Sequence, residues 1–120
     1  MAEGFFNHLY AGRARASSGG VKAGDGPDPL AIRAMAEIGV DISKQRSKAF
    51  TEEMLRSAHA VVKVCSEFDR ACPVLPVPAV HWNVENPHGK SIEVFRKVRD
   101  DVRRRVEAME REFPELFKVV

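Results

Sequence analysis

The sequence predicts an α/β fold, a three-layer sandwich with a parallel sheet between layers of helices. Helical and strand patterns alternate along the chain, one β-branched run has the profile of a buried parallel strand, and the last third carries a long amphipathic pattern. Parallel strands joined by helices are expected to make right-handed crossovers. At 120 residues the chain forms one domain, residues 1–120, with a single core.

The first 28 residues predict a helix, a short strand and a loop. Residues 2–11 form the helix, because their apolar side chains recur at helical spacing. Ala16, Ser17 and Ser18 favour a short strand that ends at two glycines. Residues 22–28 are rich in Gly, Asp and Pro and form the loop that follows.

Two shorter helices follow, and each begins at a side chain that can cap it. Asp28 precedes Pro29, and its carboxylate can accept free backbone N–H groups while proline suits the first helical position. This helix stops at Gly39. Thr51 can cap a third helix that runs to about Ser57, with two glutamates in its first turn.

The second half of the chain predicts two strands and the longest helix. Residues 60–65 read as a buried parallel strand that delivers Cys65 at its carboxyl end. Three prolines in residues 73–78 exclude a central strand there, whereas residues 79–84 can form a short one. Residues 91–112 have apolar side chains every three or four positions and predict an amphipathic helix with a charged outer face.

Charge balance and the length of the apolar runs exclude two classes of partner. The chain has 19 Lys and Arg against 17 Asp and Glu, a formal charge of +2, so no nucleic-acid binding is predicted. No apolar run approaches the roughly 20 residues that span a bilayer, so no membrane segment is predicted. The N-terminus lacks the features of a secretory signal, so we expect a cytoplasmic protein whose thiols are kept reduced.

Cys65 and Cys72 are the two cysteines of the chain, with six residues between them. Their spacing is not that of a zinc site, His81 and His88 offer only a loose possibility of further ligands, and no metal site is predicted. The two thiols are either buried and inert or a redox pair, and the residues alone leave both interpretations open. Both histidines are interpreted as surface or loop residues and Trp82 as a packing anchor.

Six segments of the sequence match one protein family in their order and spacing. They read MAEGFFN, SSGG, DPLAIRAMAEIGVDIS, VVKVCSEFDRACP, HWNVENP and FRKVRDDVRRRV. Over essentially all of residues 1–120 the chain resembles the thioredoxin-coupled arsenate reductases of the low-molecular-weight protein tyrosine phosphatase superfamily. Residues 29–43 are typical of the whole superfamily, whereas the spacing of the two cysteines followed by His81 and Trp82 is specific to the reductases.

The resemblance implies a relay of cysteines that reduces arsenate to arsenite. In that family a Cys-x5-Arg loop binds the oxyanion at a helix N-terminus and supplies a thiolate of low pKa. Cys65 would correspond to the thiol that attacks the arsenylated first cysteine, and Cys72 to the thiol that then attacks Cys65. The resulting disulfide would pass to thioredoxin, the implied partner, by thiol exchange.

The chain begins just after the point where the resemblance places that loop, so the first strand, the nucleophilic cysteine and the loop arginine are absent. We therefore expect the 120-residue chain alone to turn over neither arsenate nor a phenyl phosphate ester, and to bind arsenate or phosphate only if the loop is supplied. One alternative is a non-catalytic remnant or binding partner that keeps a redox dithiol. Another is a low-molecular-weight protein tyrosine phosphatase, which the cysteine pair disfavours because that reaction needs no resolving thiols.

Two further positions depart from the family pattern. The loop that carries the general acid Asp in the phosphatases reads Glu85-Asn86-Pro87, and Asn86, at the aligned place, cannot donate a proton as an acid does. Some reductases bind potassium through a Glu, a Ser and an Asp. Glu3 and Ser18 match two of these positions, but Lys48 occupies the third, so we expect its ammonium to replace the ion and predict no potassium or other cofactor.

The absent strand also predicts a stability problem. By the resemblance the sheet order is two-one-three-four, so the absent strand belongs between the strand near Ser17 and the strand 60–65. Backbone groups left unpaired and buried cost about 1–3 kcal/mol each, a large share of the roughly 5–15 kcal/mol that stabilises a domain. We expect a marginally stable chain that aggregates or self-associates.

Overall fold

The computed structural model describes residues 1–19, 26–46, 48–66 and 72–117. Within these ranges the chain forms helices and two strands in the order α1 Ala2–Leu9, α2 Pro29–Ala36, α3 Glu52–Ser57, β1 Val62–Val64, β2 Val80–Trp82 and α4 Ile92–Glu112, followed by a 3-10 helix at Pro114–Phe117. This alternation confirms the predicted α/β class. The 3-10 helix was not predicted.

The capping side chains act as the sequence predicts. The Asp28 carboxylate accepts the Leu30 backbone N–H at 2.9 Å, and Pro29 is the first residue of α2. The Thr51 hydroxyl accepts the Met54 N–H at 3.1 Å and starts α3. Gly39 has a φ of 81° just after α2, a left-handed conformation in which a β-carbon would be strained, so the glycine ends the helix as predicted.

The sheet is parallel, as predicted, but its strands are short and less buried than the sequence suggests. β1 pairs with β2 in the register Val62–Val80, Lys63–His81 and Val64–Trp82. Only these two strands form a sheet in the part of the chain that the structure describes. Val64 is 43% exposed and the other residues of β1 are partly exposed, so the expectation of a buried strand at residues 60–65 is wrong. Val80 of β2 is 38% exposed.

The predicted strand at residues 16–18 is also wrong, because a side chain of α1 takes the place of a neighbouring strand. The Asn7 amide donates to the Ala16 carbonyl at 3.0 Å, and its oxygen accepts the Ala16 N–H at 2.8 Å. The Ser18 N–H in turn donates to the Glu3 carboxylate. Residues 22–25 of the predicted 22–28 loop lie outside the described residues.

The core lies between α4 and the two N-terminal helices. α1 and α2 both pack on α4, which buries one face along its length, as its periodicity predicts. The hydroxyl of the buried Tyr10 donates to the Val106 carbonyl at 2.8 Å, so the end of α1 is joined to α4 by a hydrogen bond as well as by apolar contact. Trp82 is 5% exposed and belongs to this core, which confirms the packing interpretation.

None of the helices in the described ranges is long and apolar enough to cross a bilayer.

Candidate functional site

Cys65 directly follows β1, and the sheet fixes its backbone. Its N–H donates to the Trp82 carbonyl at 3.2 Å, and its own carbonyl accepts the Val84 N–H at 3.4 Å. These bonds extend the parallel pairing one residue beyond the strand. The sequence prediction that the strand delivers Cys65 at its carboxyl end is confirmed in this respect.

Cys65 and Cys72 form a disulfide, with their Cα atoms 5.9 Å apart. This separation lies within the range that a disulfide bridges without backbone movement. The Lys63 ammonium donates to the Pro73 carbonyl at 3.1 Å and so holds the segment after Cys72 against β1. The sequence prediction that the two thiols can pair is confirmed, and residues 67–71 between them lie outside the described part of the chain.

His81 lies against the disulfide, a contact that the sequence did not predict. Its Nε2 is 2.9 Å from the Cys65 carbonyl oxygen and 3.6 Å from Cys65 Sγ. Because a carbonyl only accepts, Nε2 carries the proton in this arrangement. His81 is an exposed residue of β2, which confirms its interpretation as a surface or loop residue, and it lies within the short strand predicted at residues 79–84.

An open pocket of about 310 Å³ joins Cys65 to the loop that the resemblance identifies as the acid loop. Cys65 and Ser66 form one wall, Glu85 and Asn86 another, and the remaining walls come from the first turn of α1 and from α4. The structure thus brings together three of the four candidate catalytic residues around one cavity, and the fourth, Cys72, is bonded to Cys65.

Glu85 and Asn86 are held in forms that do not donate protons as acids. The Lys90 ammonium lies 2.6 Å from the Glu85 carboxylate, and this hydrogen bond holds the pKa of Glu85 below its usual range. Glu85 is therefore a carboxylate at neutral pH. The Asn86 side-chain oxygen accepts the His88 N–H at 3.1 Å. Lys90 is a partner that the sequence reasoning missed, although it stands only five residues after Glu85.

Glu3, Ser18 and Lys48 lie together at the start of α1. One carboxylate oxygen of Glu3 accepts the Ser18 N–H at 2.7 Å and the Ser18 hydroxyl at 3.2 Å. The Lys48 ammonium is 3.6 Å from the same oxygen, and the Glu3 side chain is only 13% exposed. The Lys48 cation therefore lies beside Glu3, as expected from its place at the third position of the family's potassium site.

Known proteins match the chain along most of its length. The family model for low molecular weight phosphotyrosine protein phosphatase matches residues 1–116. Arsenate reductase 2 of Staphylococcus epidermidis is 37% identical over 110 residues, which cover 90% of this chain and 83% of that protein. The crystal structure of arsenate reductase from Archaeoglobus fulgidus has a TM-score of 0.73 and 32% identity, covering 90% of this chain and 86% of that one.

A second solved structure shares the fold alone. The thioredoxin-dependent arsenate reductase of Corynebacterium glutamicum has a TM-score of 0.69 but only 18% identity, covering 95% of this chain and 54% of that one. The fold likeness extends over nearly the whole of this chain, so the α/β architecture persists where few residues are shared.

Proposed function

Because this chain belongs to the low-molecular-weight phosphotyrosine protein phosphatase family, and within it to the arsenate reductases, we propose that Cys65 and Cys72 are its electron-donating pair. The observation that carries the proposal is the disulfide between them at the edge of the pocket that Glu85 and Asn86 also line. A dithiol at this place can supply the two electrons that convert arsenate to arsenite.

The relay begins at a thiol that carries arsenate, which the family resemblance assigns to the Cys-x5-Arg loop. The Cys65 thiolate attacks the sulfur of that thiol, the sulfur–arsenic bond breaks, and its electron pair leaves with arsenic as arsenite. Cys72 then attacks Cys65 Sγ, releases the first thiolate and completes the Cys65–Cys72 disulfide. In sum, arsenate and two thiols give arsenite, one disulfide and water.

Thioredoxin is the proposed reductant of the disulfide. Its dithiol attacks one sulfur through a mixed disulfide, and the two electrons return Cys65 and Cys72 to thiols. Cys65, Cys72 and the adjoining Pro73 are each partly exposed, so the dithiol of another protein can reach the disulfide. We place the protein in the cytoplasm, where such a dithiol is kept reduced.

The geometry favours reduction over phosphate ester hydrolysis, the second activity of the family. A phosphatase needs a general acid for the leaving group and has no use for a resolving dithiol. Here the hydrogen bond from Lys90 lowers the pKa of Glu85, which makes it a still weaker candidate for a general acid, and Asn86 is an amide. The experiment must also distinguish these two enzymes from a dithiol protein that catalyses neither reaction.

The test begins with the oxidised protein, thioredoxin, thioredoxin reductase and NADPH. We expect NADPH oxidation equivalent to one disulfide per chain, and none in Cys65→Ser or Cys72→Ser. Val74→Ala is a matched control, since Val74 lies two residues from Cys72 and is 96% exposed. Failure of thioredoxin to reduce the wild-type disulfide would contradict the proposed partner.

A second arm adds arsenate to the chain and to a version extended ahead of Met1 by a family-type first strand and Cys-x5-Arg loop. In the extended protein we expect arsenate-dependent NADPH oxidation that both serine variants lose. The expected inactivity of the 120-residue chain stays a prediction, and its own assay in this arm tests it. Hydrolysis of a phenyl phosphate ester without arsenate reduction would favour the phosphatase, and neither activity would favour the non-catalytic dithiol protein.

A further inference from the structure

Three side chains that can bind metals converge at the end of the sheet. Cys65 Sγ, Cys72 Sγ and a ring nitrogen of His81 all lie within 4.8 Å of one another. The relay proposed above assigns no role to His81. The hydrogen bond between Nε2 and the Cys65 carbonyl holds its ring against the sulfurs.

We propose that the reduced form of this cluster is a binding site for a borderline or soft divalent cation of the zinc and cadmium class. Two thiolates and one neutral imidazole nitrogen are the ligands that such cations prefer, and a fourth position stays open for water. The two thiolate charges balance the charge of the cation, so the site is neutral when it is occupied.

The distances suit this coordination with little movement. In a tetrahedral zinc site the bond lengths of about 2.3 Å to sulfur and 2.0–2.1 Å to nitrogen place the ligand atoms about 3.5–3.8 Å apart. Cys65 Sγ and His81 Nε2 are already 3.6 Å apart. When the disulfide is reduced, the two sulfurs move apart from bonding distance towards the same range. The remaining pair, Cys72 Sγ and the His81 ring nitrogen, starts within 4.8 Å.

His81 can present a free nitrogen without leaving a buried group unsatisfied. In the oxidised arrangement Nε2–H donates to the Cys65 carbonyl, so binding a cation requires the tautomer with the proton on Nδ1. The carbonyl keeps the Val84 N–H as a donor at 3.4 Å, and the exposed imidazole can donate from Nδ1 to water.

Cation binding and disulfide formation exclude each other. A divalent cation, two thiols and one imidazole give the bound complex and two released protons, with no change in oxidation state. The sulfurs are then bonded to metal and cannot attack or be attacked, so an occupied site holds the pair reduced and stops electron transfer. This property depends only on the reduced thiols and His81, and not on arsenate reduction by the chain.

The experiment uses Cd²⁺ as the probe and the whole 120-residue protein, reduced by a phosphine and kept without oxygen. We expect thiolate-to-metal charge-transfer absorption that saturates at one Cd²⁺ per chain, and none after the protein is oxidised. His81→Ala should weaken the binding at least about tenfold, as measured by competition with a chelator. His59→Ala is the matched control, an exposed histidine outside the cluster, and should leave the affinity unchanged.

Substitution by Co²⁺ separates a ligand from a supporting side chain. If His81 binds the metal, the visible Co²⁺ spectrum should change between wild type and both His81→Ala and His81→Gln, while circular dichroism shows that each variant is folded. The proposal is overturned if the reduced wild type gives no charge-transfer absorption, if the disulfide form binds equally well, or if the loss of His81 changes neither affinity nor spectrum.

Discussion

Gly4 is the position where one added methyl group is expected to disturb the core most directly. A β-carbon built there would lie 2.5 Å from Ile42 Cγ2 and 3.2 Å from the Gln45 side chain. Alanine in a helix is ordinarily favoured over glycine by roughly 0.5–1 kcal/mol, but overpacking a core costs about 1–3 kcal/mol. Because the distance to Ile42 Cγ2 is shorter than any ordinary van der Waals contact, we expect the cost of overpacking to exceed the gain in helix propensity.

We therefore predict that Gly4→Ala lowers the free energy of unfolding by about 1–2 kcal/mol in urea denaturation. Ile42→Ala removes the methyl group that the new β-carbon would meet. In the double variant the two losses should not add, because the added carbon enters the space that Ile42 vacates. Additive losses, or a gain in stability from Gly4→Ala, would contradict the packing argument.

Lys48 leads to a prediction about potassium at the same end of α1. Since its ammonium already lies 3.6 Å from the Glu3 carboxylate, we expect the melting temperature of the wild type to be equal in KCl and NaCl at equal concentration. Lys48→Asp should introduce a preference for KCl, because the ammonium is replaced by a second carboxylate beside Glu3 and Ser18. Lys44→Asp makes the same charge change at an exposed site and serves as the control. A potassium preference in the wild type would show that the lysine does not replace the ion.

At the scale of the elements, α2 and α4 are joined by one carboxylate as well as by apolar packing. Arg96 lies 2.6 Å and Arg99 2.9 Å from the Glu37 side chain. Arg99 also donates to the Ala34 carbonyl at 2.9 Å. The hydrogen bond from Arg96 is the largest cause that lowers the pKa of Glu37 from 4.5 to about 2, and the charge of Arg96 and the hydrogen bond and charge of Arg99 add to it.

This shift fixes the sign of a pH effect. The carboxylate is favoured in the folded state, so its contribution is fully present above pH 4.5 and is lost as pH falls towards about 2. We expect Glu37→Gln to be less stable than the wild type above pH 5 and the gap to close between about pH 4.5 and 2, as measured by urea denaturation. Glu107→Gln removes a partner of Arg103 within α4 and should cost little stability, because an exposed ion pair contributes little. A gap that stays constant over this range would contradict the assigned pair.

The elements also differ in how far local sequence predicts them. Helix starts at Asp28 and Thr51 were predicted because a cap and its backbone partners lie within three residues of each other. The strand predicted at residues 16–18 failed because Asn7, nine residues before Ala16, takes both of its backbone groups. Strand propensity describes a side chain that suits a sheet and does not say whether a neighbouring strand is available.

At the scale of the whole molecule, the small sheet is the expected place of self-association. β1 pairs only with β2 in the described parts of the chain, and Val64 on β1 is 43% exposed. An apolar strand at a sheet edge can add a strand from a second copy. We predict concentration-dependent self-association in light scattering, reduced by Val64→Lys. Leu9→Lys is the control, since Leu9 is similarly exposed on α1. A wild type that is monomeric at all concentrations, or equal effects of both variants, would contradict this assignment.

The sequence by itself determined the α/β class, the capped helices and the buried face of α4, and its resemblance to a family implied the pairing of Cys65 with Cys72. Each of these rests on residues near each other in the chain, on a repeat of three or four positions, or on a set of segments that match a family in order. Such signals depend little on how distant parts of the chain pack.

Only the tertiary structure decided the chemistry around the pair. The parallel register of β1 and β2 brings His81 to 3.6 Å from Cys65 Sγ, and the fold places Glu85 and Asn86 around the same pocket as Cys65. The pKa of Glu85 depends on where the Lys90 ammonium lies. Distances between residues far apart in the chain follow from strand register and helix packing, and the spacing of residues along the sequence does not encode them. For this reason His81, which its sequence spacing excluded as a metal ligand, lies within 4.8 Å of both sulfurs.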